Sequence, residues 1–298
     1  MKVSKAVLPV AGMGTRLLPA TKSQPKEMLP VGIKPVVQHV VEELVCEGVD
    51  KLLFVTGRKK RSIEDHFDDD PELDALLLGK GATAVQPDYE RAAVEFFYVR
   101  QRRPLGNAHA IRLGSEFVGE EPFLVGFGDT IITSPHNPGV VGRMIEAHQA
   151  NNAAATIAVW EVPSEHVHRY GIVRPSSGDG RSHCFDIAEI VEKPNAVEAP
   201  SNLAVAARYI FDRRVFDAID RIETGHGGEL WLTDAIQIMI DDGQPVQCLR
   251  LMDDEHRYDV GNPATYFRAF ADFALADPEY GPALADYLRI KLQSGETE

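Results

Sequence analysis

Cysteine and long apolar runs are scarce in this sequence. The three cysteines, Cys46, Cys184 and Cys248, are odd in number and far apart, which fits neither a disulfide framework nor a zinc motif. We therefore expect them to be reduced and mostly buried in a cytoplasmic protein. No stretch reaches the ~18 apolar residues of a membrane helix, and the apolar run near the N-terminus is too short for a signal peptide.

Positive charge is also scarce. The chain has 31 Lys and Arg against 45 Asp and Glu, which gives a formal net charge of −14. Nucleic acids and anionic membranes require clustered cations, so the composition disfavours both as partners. An anionic small substrate would require the few cations to be concentrated at one place. With 44% hydrophobic residues, 298 residues suffice for one large domain or two small ones.

Short apolar runs alternate with helical patterns in the first half of the chain. We expect strands at 6–10, 51–56, 95–99 and 123–127, and helices at 35–46, 108–117 and 140–150. Strands then follow at 154–162, 172–175, 187–192 and 204–211, before helices at 214–222, 230–241 and 263–274. This order predicts an α/β fold, in which a Rossmann-like, doubly wound first half continues into a β-rich second half of a mixed sheet.

A long loop joins the first strand to the first helix. Residues 11–32 read AGMGTRLLPATKSQPKEMLPVG and contain three prolines. Long loops inside compact domains are usually functional, and Gly12 and Gly14 let backbone N–H groups approach an anion. Arg16, Lys22 and Lys26 add three cations. Because ligands bind at the carboxyl ends of strands in such sheets, the loop predicts a polyphosphate site.

Two other phosphate-binding loops are disfavoured by what this segment lacks. A dinucleotide fingerprint requires a third glycine, where Leu17 stands, and an acid after the second strand, where Gly57 and Arg58 stand. A P-loop requires a Gly-Lys-Ser/Thr sequence, which is absent from the loop. An NAD-dependent dehydrogenase is therefore disfavoured.

The segment AGMGTRLLPATKSQPKEMLPVGIKP closely resembles the signature of the bacterial sugar nucleotidyltransferases. The likeness extends from about residue 3 to about residue 275, through EDHFD, residues 101–110, VEKPNAVEAPSNLAV, ELWLTDAI and YDVGN. It implies the nucleotide-diphospho-sugar transferase type of fold. One catalytic domain, 1–275, would comprise a nucleotide-binding part at about 1–150 and a sugar-binding part at about 151–262, with a C-terminal helix and tail at 276–298.

The resemblance also implies the reaction, in which UTP and glucose 1-phosphate yield UDP-glucose and pyrophosphate. The implied nucleotide contacts are Ala11, Gly12, Gly14, Thr15, Arg16, Lys26, Gln101 and Gly106. A glutamine amide offers the donor and the acceptor that the edge of uracil requires. Thymine shares this edge and differs by a methyl group, which is worth only ~1–3 kcal/mol, so a dTTP-dependent thymidylyltransferase stays open. GNAHA, which includes Asn107, stands where the family usually has GLGHA.

Two aspartates match the metal-binding positions of the family. Asp129 follows the fourth strand, and Asp259 lies in RYDVGN near the C-terminus. Mg²⁺ prefers a few carboxylates, water and phosphate oxygens, so two carboxylates at a triphosphate suit it. Only the family pattern brings these distant residues together.

On the sugar side, the resemblance implies contacts from Gly171, Glu192, Lys193 and Ala206. Glu192 would hold sugar hydroxyls and Lys193 the sugar's phosphate. If these two residues continue a strand, their side chains point to opposite faces. Ala206 and Ala207 replace a bulkier residue and a glycine of the family, and Trp231 replaces a glutamine.

The implied mechanism is an in-line displacement at the α-phosphorus of UTP. Arg16, Lys26, Asp129 and Lys193 would be catalytic, because two anions must meet among cations. A non-catalytic nucleotide-sugar binding protein is the alternative from another class. Relatives form homo-oligomers, so we expect a homodimer or homotetramer, with residues 280–291 as a candidate interface helix.

Overall fold

The computed structural model describes residues 2–72, 75–76, 93–223 and 228–293, so residues 294–298, the end of the predicted C-terminal helix and tail at 276–298, lie outside it. The strands in the described residues are β1 (Lys5–Pro9), β2 (Pro30–Val31), β3 (Lys34–Pro35), β4 (Lys51–Thr56), β5 (Glu95–Arg100), β6 (Phe123–Gly126), β7 (Thr130–Thr133), β8 (Ala155–Glu161), β9 (Gly171–Pro175), β10 (Cys184–Glu192), β11 (Leu203–Phe211), β12 (Val246–Arg250) and β13 (His256–Asp259). Nine of them form one sheet in the order β5-β4-β1-β6-β11-β8-β12-β10-β9.

The α-helices of the described residues are α1 (Val36–Cys46), α2 (Arg61–Phe67), α3 (Asn107–Arg112), α4 (Ser115–Val118), α5 (Val140–Ala150), α6 (Arg214–Asp220), α7 (Leu232–Asp241), α8 (Pro263–Ala276) and α9 (Gly281–Gln293). Helices pack on both faces of the sheet. Along β1, Val7 belongs to a core cluster with residues of α3, whereas Ala6 and Leu8 belong to another with residues of α1. The predicted α/β fold with a doubly wound mixed sheet is confirmed.

The strand order creates a crevice beside β1. Strands β5, β4, β1 and β6 are parallel, and the later strand β11 is antiparallel to β6. Chain order places β4 and β5 on one side of β1 and β6 on the other, so the connections diverge there. Ligands bind at such switch points, outside the carboxyl ends of the strands. The loop after β1 and Asp129 after β6 both lie at this edge.

Several predicted boundaries were wrong for identifiable reasons. The helix expected at 108–117 is split into α3 and α4 by a turn at 113–114, where Gly114 packs closely against β1: a Cβ there would lie 2.8 Å from the Val7 side chain. Helix α1 begins at Val36, since Pro35 is extended and pairs within the β2–β3 hairpin. Sequence analysis also missed α2, β7, β12 and β13.

The expectation that the cysteines are mostly buried was wrong. None of these three cysteines, all within the described residues, forms a disulfide, but only Cys248 is buried, whereas Cys46 is exposed and Cys184 is half-buried. Within the described residues, every helix is too short or too polar to cross a membrane.

Candidate active site

Two cavities meet at the carboxyl ends of β1 and β6. The first, of about 460 Å³, is called the loop cavity because residues 11–16 line it. The second, of about 330 Å³, is called the strand cavity because residues of β9, β10 and β11 line it. Six residues line both cavities: Lys26, Asn107, Phe127, Asp129, Trp231 and Asp259. A ligand in one cavity can therefore touch a ligand in the other at these residues.

The loop after β1 folds through three short 3-10 turns, at Thr15–Leu17, Ala20–Lys22 and Lys26–Met28. Gly14 has a φ of +65°, a conformation that favours glycine, and its carbonyl accepts a hydrogen bond from Thr21 Oγ1 at 2.7 Å. A Cβ at Gly14 would press against Lys26 at 3.3 Å. The predicted nucleotide contacts all line the loop cavity: Ala11, Gly12, Gly14, Thr15, Arg16, Lys26, Gln101 and Gly106.

Lys26 and Asp129 form an ion pair at the centre of the site. Lys26 Nζ donates a hydrogen bond to Asp129 Oδ2, and the two side chains are only 18% and 20% exposed. Burial alone would lower the pKa of Lys26, but the charges of Asp129 and Glu27 outweigh it and raise that pKa. Burial alone would raise the pKa of Asp129, and the charge of Lys26 outweighs it and lowers that pKa. Both groups are therefore charged at neutral pH.

A second ion pair lies beside the first and is almost fully buried. Lys60 Nζ donates to Glu27 Oε2 at 2.6 Å, and the side chains are 5% and 2% exposed. Burial raises the pKa of Glu27 and lowers that of Lys60, in each case against the charge of the partner. Sequence analysis missed this pair, although the acid next to Lys26 in the segment PKEM was a signal.

Asp259 is brought beside Asp129 by a two-stranded sheet. In the β13–β7 register Asp259 pairs with Thr130, and the Val260 N–H donates to the Asp129 carbonyl at 2.9 Å. Burial raises the pKa of Asp259; the charge of Arg257 lowers it in part, and that of Asp129 raises it further. The predicted meeting of the two aspartates is thus seen in the geometry.

These two carboxylates fit a divalent cation. Burial is the main cause that raises the pKa of Asp259, and a cation between the two carboxylates would relieve the repulsion by Asp129 that adds to it. Phosphate oxygens and water would supply the remaining ligands. In the part of the chain that the structure describes, no cluster of three or more His, Cys, Asp or Glu side chains could hold a metal. The arrangement therefore suits an ion held jointly with a phosphate ligand.

A buried arginine fixes the chain that follows Asp129. Arg208 is fully buried, and its guanidinium donates to the Thr130 carbonyl at 2.9 Å and to Glu43 Oε2 at 2.6 Å. Burial raises the pKa of Glu43, and the charge of Arg208 opposes the rise. The pair ties β11 to α1 and to the start of β7, so the backbone next to Asp129 is anchored to both elements.

The segment after β5 is held against the start of α7. Gln101 is 7% exposed, and its Nε2 donates to the Gly106 carbonyl at 3.0 Å and lies 3.0 Å from His109 Nδ1. A Cβ at Gly106 would collide with the backbone of Leu230. Asn107 Oδ1 accepts a hydrogen bond from the Leu232 N–H at 2.8 Å, at the first residue of α7. The departure of Asn107 from the family pattern thus has a structural reason.

Gly171, Glu192 and Lys193 lie together in the strand cavity, as predicted. A Cβ at Gly171 would lie 2.8 Å from the Thr233 side chain and 3.3 Å from Glu192 Oε2, so only glycine fits. The opposite facing of Glu192 and Lys193 was expected only if both continued a strand, and that condition is not met. The strand ends at Glu192, Lys193 has a φ of +46°, and its Nζ lies 3.1 Å from Glu192 Oε1.

The structure corrects the position predicted at Ala206. Its side chain is fully buried in a core cluster and does not line the strand cavity, whereas Val205 and Ala207 do. Side chains alternate between the faces of β11, so the residue before and the residue after Ala206 face the cavity. Ala207 has a φ of +63°, which explains why glycine is usual there.

Trp231 and Arg257 are two residues of the strand cavity to which sequence analysis assigned no role. The ring of Trp231, whose centroid lies 3.8 Å from Lys193 Nζ, lines both cavities. The guanidinium carbon of Arg257 lies 5.1 Å and 5.6 Å from the ring centroids of Tyr170 and Trp160. Arg257 stands two residues before Asp259, a spacing that places both on one face of a strand and was a usable signal.

The chain was then compared with known proteins. A model of the nucleotidyl transferase family matches residues 5–275. Over 298 residues the chain is 40% identical to a UTP–glucose-1-phosphate uridylyltransferase of Bacillus subtilis (strain 168), with 99% of each chain covered. A UTP-bound UGPase from Acinetobacter baumannii is similar in structure, with a TM-score of 0.85, 34% identity and 100% of both chains covered.

A UDP-glucose pyrophosphorylase complexed with UDP-glucose is also similar, with a TM-score of 0.80 and 34% identity over 91% of this chain and 98% of that chain. The resemblance predicted from the loop motif is confirmed by these matches. This chain belongs to the nucleotidyl transferase family.

Proposed function

We propose that this protein transfers the uridylyl group of UTP to glucose 1-phosphate and releases UDP-glucose and pyrophosphate. The observation that carries the proposal is the meeting of two cavities at Lys26, Asp129 and Asp259. Group transfer between two anions requires both substrates to approach one cluster of cations and metal-binding carboxylates. The names of the similar uridylyltransferase and of the structures with UTP and UDP-glucose support the same substrates.

The loop cavity would hold UTP. Gln101 Nε2 is engaged with Gly106 and His109, so Oε1 of Gln101 is left to accept a hydrogen bond from the imide N–H of uracil. The backbone of Ala11, Gly12, Gly14 and Thr15 would surround the phosphates. Arg16 and Lys26 would stabilise the negative charge that develops on the departing pyrophosphate.

Asp129 and Asp259 would hold Mg²⁺ together with the phosphates. When bound, the ion supplies charge neutralisation at the α-phosphate. Lys26 keeps Asp129 ionised through their ion pair, and Arg208 keeps the chain beside Asp129 in place through the Thr130 carbonyl. The protein's own contribution is a fixed pair of carboxylates at the point where the two substrates meet.

The strand cavity would hold glucose 1-phosphate. Lys193 would bind the phosphate, Glu192 would accept hydrogen bonds from sugar hydroxyls, and Gly171 leaves space for the sugar ring. The second pKa of a phosphate monoester is ~6, so the acceptor is largely dianionic at neutral pH and requires no general base. A phosphate oxygen of the acceptor attacks the α-phosphorus as the bond to the pyrophosphate oxygen breaks.

Catalysis is then mostly positioning and charge stabilisation by this chain's residues. The test is to mix the purified protein with UTP, Mg²⁺ and glucose 1-phosphate and to measure pyrophosphate and UDP-glucose. Equal amounts of both products are expected. Nucleotide binding without pyrophosphate release would favour the alternative of a non-catalytic nucleotide-sugar binding protein. Faster turnover with dTTP than with UTP would favour a thymidylyltransferase.

Assembly and location stay predictions. We propose a homodimer or homotetramer in which helix α9 forms part of an interface, because Tyr287, Ile290 and Leu292 on this helix are 57%, 69% and 79% exposed. Light scattering after gel filtration would measure the mass, and a monomer at micromolar concentration would contradict the proposal. A cytoplasmic location is proposed because the three cysteines, all within the described residues, form no disulfide, and it would be checked by cell fractionation.

A further inference from the structure

Arg257 stands out among the cations of the strand cavity because its buried Nε has no hydrogen-bond acceptor in the part of the chain that the structure describes. The carboxylates that line the cavity are Asp129, Glu192 and Asp259, and the cations are Lys26, Arg169, Lys193 and Arg257. Lys26 pairs with Asp129 and Lys193 pairs with Glu192. Among the described residues, Arg257 has neither an ion-pair partner nor a hydrogen-bond acceptor, and its Nε atom is buried.

A buried N–H without an acceptor is costly unless a ligand completes it. The charge of Arg257 acts on Asp259 and Asp129, but neither carboxylate accepts a hydrogen bond from it. The rings of Tyr170 and Trp160, at 5.1 Å and 5.6 Å, hold the planar group in place without taking its hydrogen bonds. Alternation along β13 puts Arg257 on the same face as Asp259, and the β7 register pairs Arg257 with Ile132. The backbone therefore fixes its position relative to the two aspartates.

We infer that Arg257 is a second cationic ligand, beside Lys193, of the phosphate that the acceptor brings into the strand cavity. The guanidinium is planar, has several donors and matches the geometry of phosphate oxygens. Arg257 lines the strand cavity and not the loop cavity, which places it on the acceptor's side and away from the departing pyrophosphate. The inference rests on the proposed function, since it assumes that a sugar 1-phosphate occupies this cavity.

This assignment separates two roles within one strand. Asp259 would bind the divalent cation, and Arg257 would bind the acceptor's phosphate two residues earlier. The same phosphate becomes the β-phosphate of UDP-glucose, so Arg257 would contact the product too. UMP lacks that phosphate, which makes the two ligands a matched pair for binding measurements.

The test is isothermal titration calorimetry of UDP-glucose and UMP with the unaltered protein, R257Q, R257K and R174Q. R257Q should weaken UDP-glucose binding about 10- to 100-fold and change UMP binding by less than about 3-fold, as expected for one lost charge-assisted contact. R257K keeps the positive charge but loses the planar guanidinium with its several donors. The affinity for UDP-glucose alone should therefore fall about 3- to 10-fold. R174Q removes an arginine whose ion pair with Glu189 lies on the exposed sheet surface, and it should match the unaltered protein.

Equal losses for UDP-glucose and UMP, or no loss for either, would overturn the inference and leave the proposed function standing. If R257Q does not fold, as judged by circular dichroism, R257K decides by the same comparison. Failure of the unaltered protein to bind UDP-glucose would overturn the proposed function and the inference together. Steady-state kinetics adds a second readout: KM for glucose 1-phosphate should rise in R257Q, and KM for UTP should stay within about 3-fold.

Discussion

Cations on the two sides of the site are held in different ways. Around the loop cavity, Lys26 pairs with Asp129, and Lys60 pairs with Glu27 behind it. In the strand cavity, Arg257 lies over two aromatic rings, and Lys193 lies 3.8 Å from the Trp231 ring as well as near Glu192. The ion pairs of Lys26 and Lys60 are buried, whereas the pair of Lys193 with Glu192 is partly exposed and Arg257 forms none among the described residues. On the strand side the rings therefore add to the positioning of the cations without neutralising them.

This difference separates structural from ligand-directed charge. A cation paired with a buried carboxylate contributes to folding, so its removal leaves an uncompensated charge inside the protein. A cation held by rings is positioned in advance for an anion, so its loss mainly weakens binding. The comparison therefore predicts that substitutions on the loop side change stability and activity together, while those on the strand side change activity alone.

The largest effect is expected for Lys26→Met. The substitution removes a charge from the proposed pyrophosphate site and leaves Asp129 without its ion-pair partner. We expect kcat/KM to fall about 100- to 1,000-fold, as for the loss of one preorganised charge-stabilising donor. The free energy of unfolding should fall by about 2 kcal/mol, less than for a fully buried pair because both side chains are partly exposed. Steady-state kinetics and urea unfolding measure the two changes.

The matched control is Lys51→Met, which removes an exposed ion pair with Glu95 between β4 and β5. It should change the free energy of unfolding by less than about 0.5 kcal/mol. If Lys26→Met abolished activity but left the free energy of unfolding unchanged, the ion pair of Lys26 with Asp129 would not stabilise the folded protein. The contrast between the two cavities would then be wrong.

The second effect concerns a buried polar group that is kept neutral. His148 on α5 is 5% exposed, and its Nδ1 lies 3.0 Å from Thr156 Oγ1 on β8. Burial lowers the pKa of His148 to about 4, although the charge of Asp212 raises it in part. Beside the loop cavity, Glu27 and Lys60 are buried as an ion pair. His148, in contrast, is buried with no charged group in contact among the described residues.

Acid should therefore destabilise the protein through His148. Because the folded-state pKa lies below the ~6.5 of an unfolded chain, protonation favours unfolding. The contribution of neutral His148 to the free energy of unfolding is complete above about pH 6.5, and it is lost as the pH falls toward the folded-state pKa. When the pH is lowered from about 7.5 to about 5, the free energy of unfolding should fall by about 2 kcal/mol because His148 is protonated more readily in the unfolded chain. Denaturant titrations across this range would measure the loss.

His148→Gln should remove this part of the pH dependence. Thr156→Val serves as the control, because it removes the hydrogen-bond partner but keeps the titrating ring. Thr156→Val should lower the free energy of unfolding at every pH and retain the additional loss in acid. An unchanged pH dependence in His148→Gln would contradict the assignment.

Sequence analysis predicted the helices and strands that have a regular apolar pattern and the site residues that lie in one local motif. The strand at Lys51–Thr56 and the helix at Val140–Ala150 have the predicted bounds, since both form continuous apolar patterns. The residues predicted in the loop after β1 lie together because a single segment supplies them. The meeting of Asp129 with Asp259 depended on the family pattern, since the β13–β7 pairing that joins them is not visible in either segment alone.

What escaped prediction depends on backbone torsion and on contacts between distant segments. The positive φ of Lys193 turns its side chain toward Glu192, and nothing in the residue type demands that conformation. Ala206 was misplaced by one residue because the facing of β11 is fixed by its neighbours in the sheet. Asn107 binds the first N–H of α7, which is 125 residues away in the chain.

The smallest effect tests the strand side of the comparison directly. In Trp231→Leu the ring beneath Lys193 is lost, whereas Trp231→Phe keeps an aromatic face in the same place. We expect KM for glucose 1-phosphate to rise about 3- to 10-fold in Trp231→Leu and less in Trp231→Phe, in line with the energy of one cation–π contact. Because the Lys193 side chain is 40% exposed, the free energy of unfolding should change by less than about 1 kcal/mol.

Both variants should be compared with Lys26→Met in the same kinetic and unfolding assays. If cations in the strand cavity are positioned mainly for the acceptor, Trp231→Leu will weaken glucose 1-phosphate more than UTP, even though Trp231 also lines the loop cavity. Equal effects of the leucine and phenylalanine variants would show that bulk, and not the ring's quadrupole, positions Lys193. A loss of unfolding free energy as large as that of Lys26→Met would show that both cavities hold their cations for folding, because the ring would then stabilise the protein as a carboxylate does.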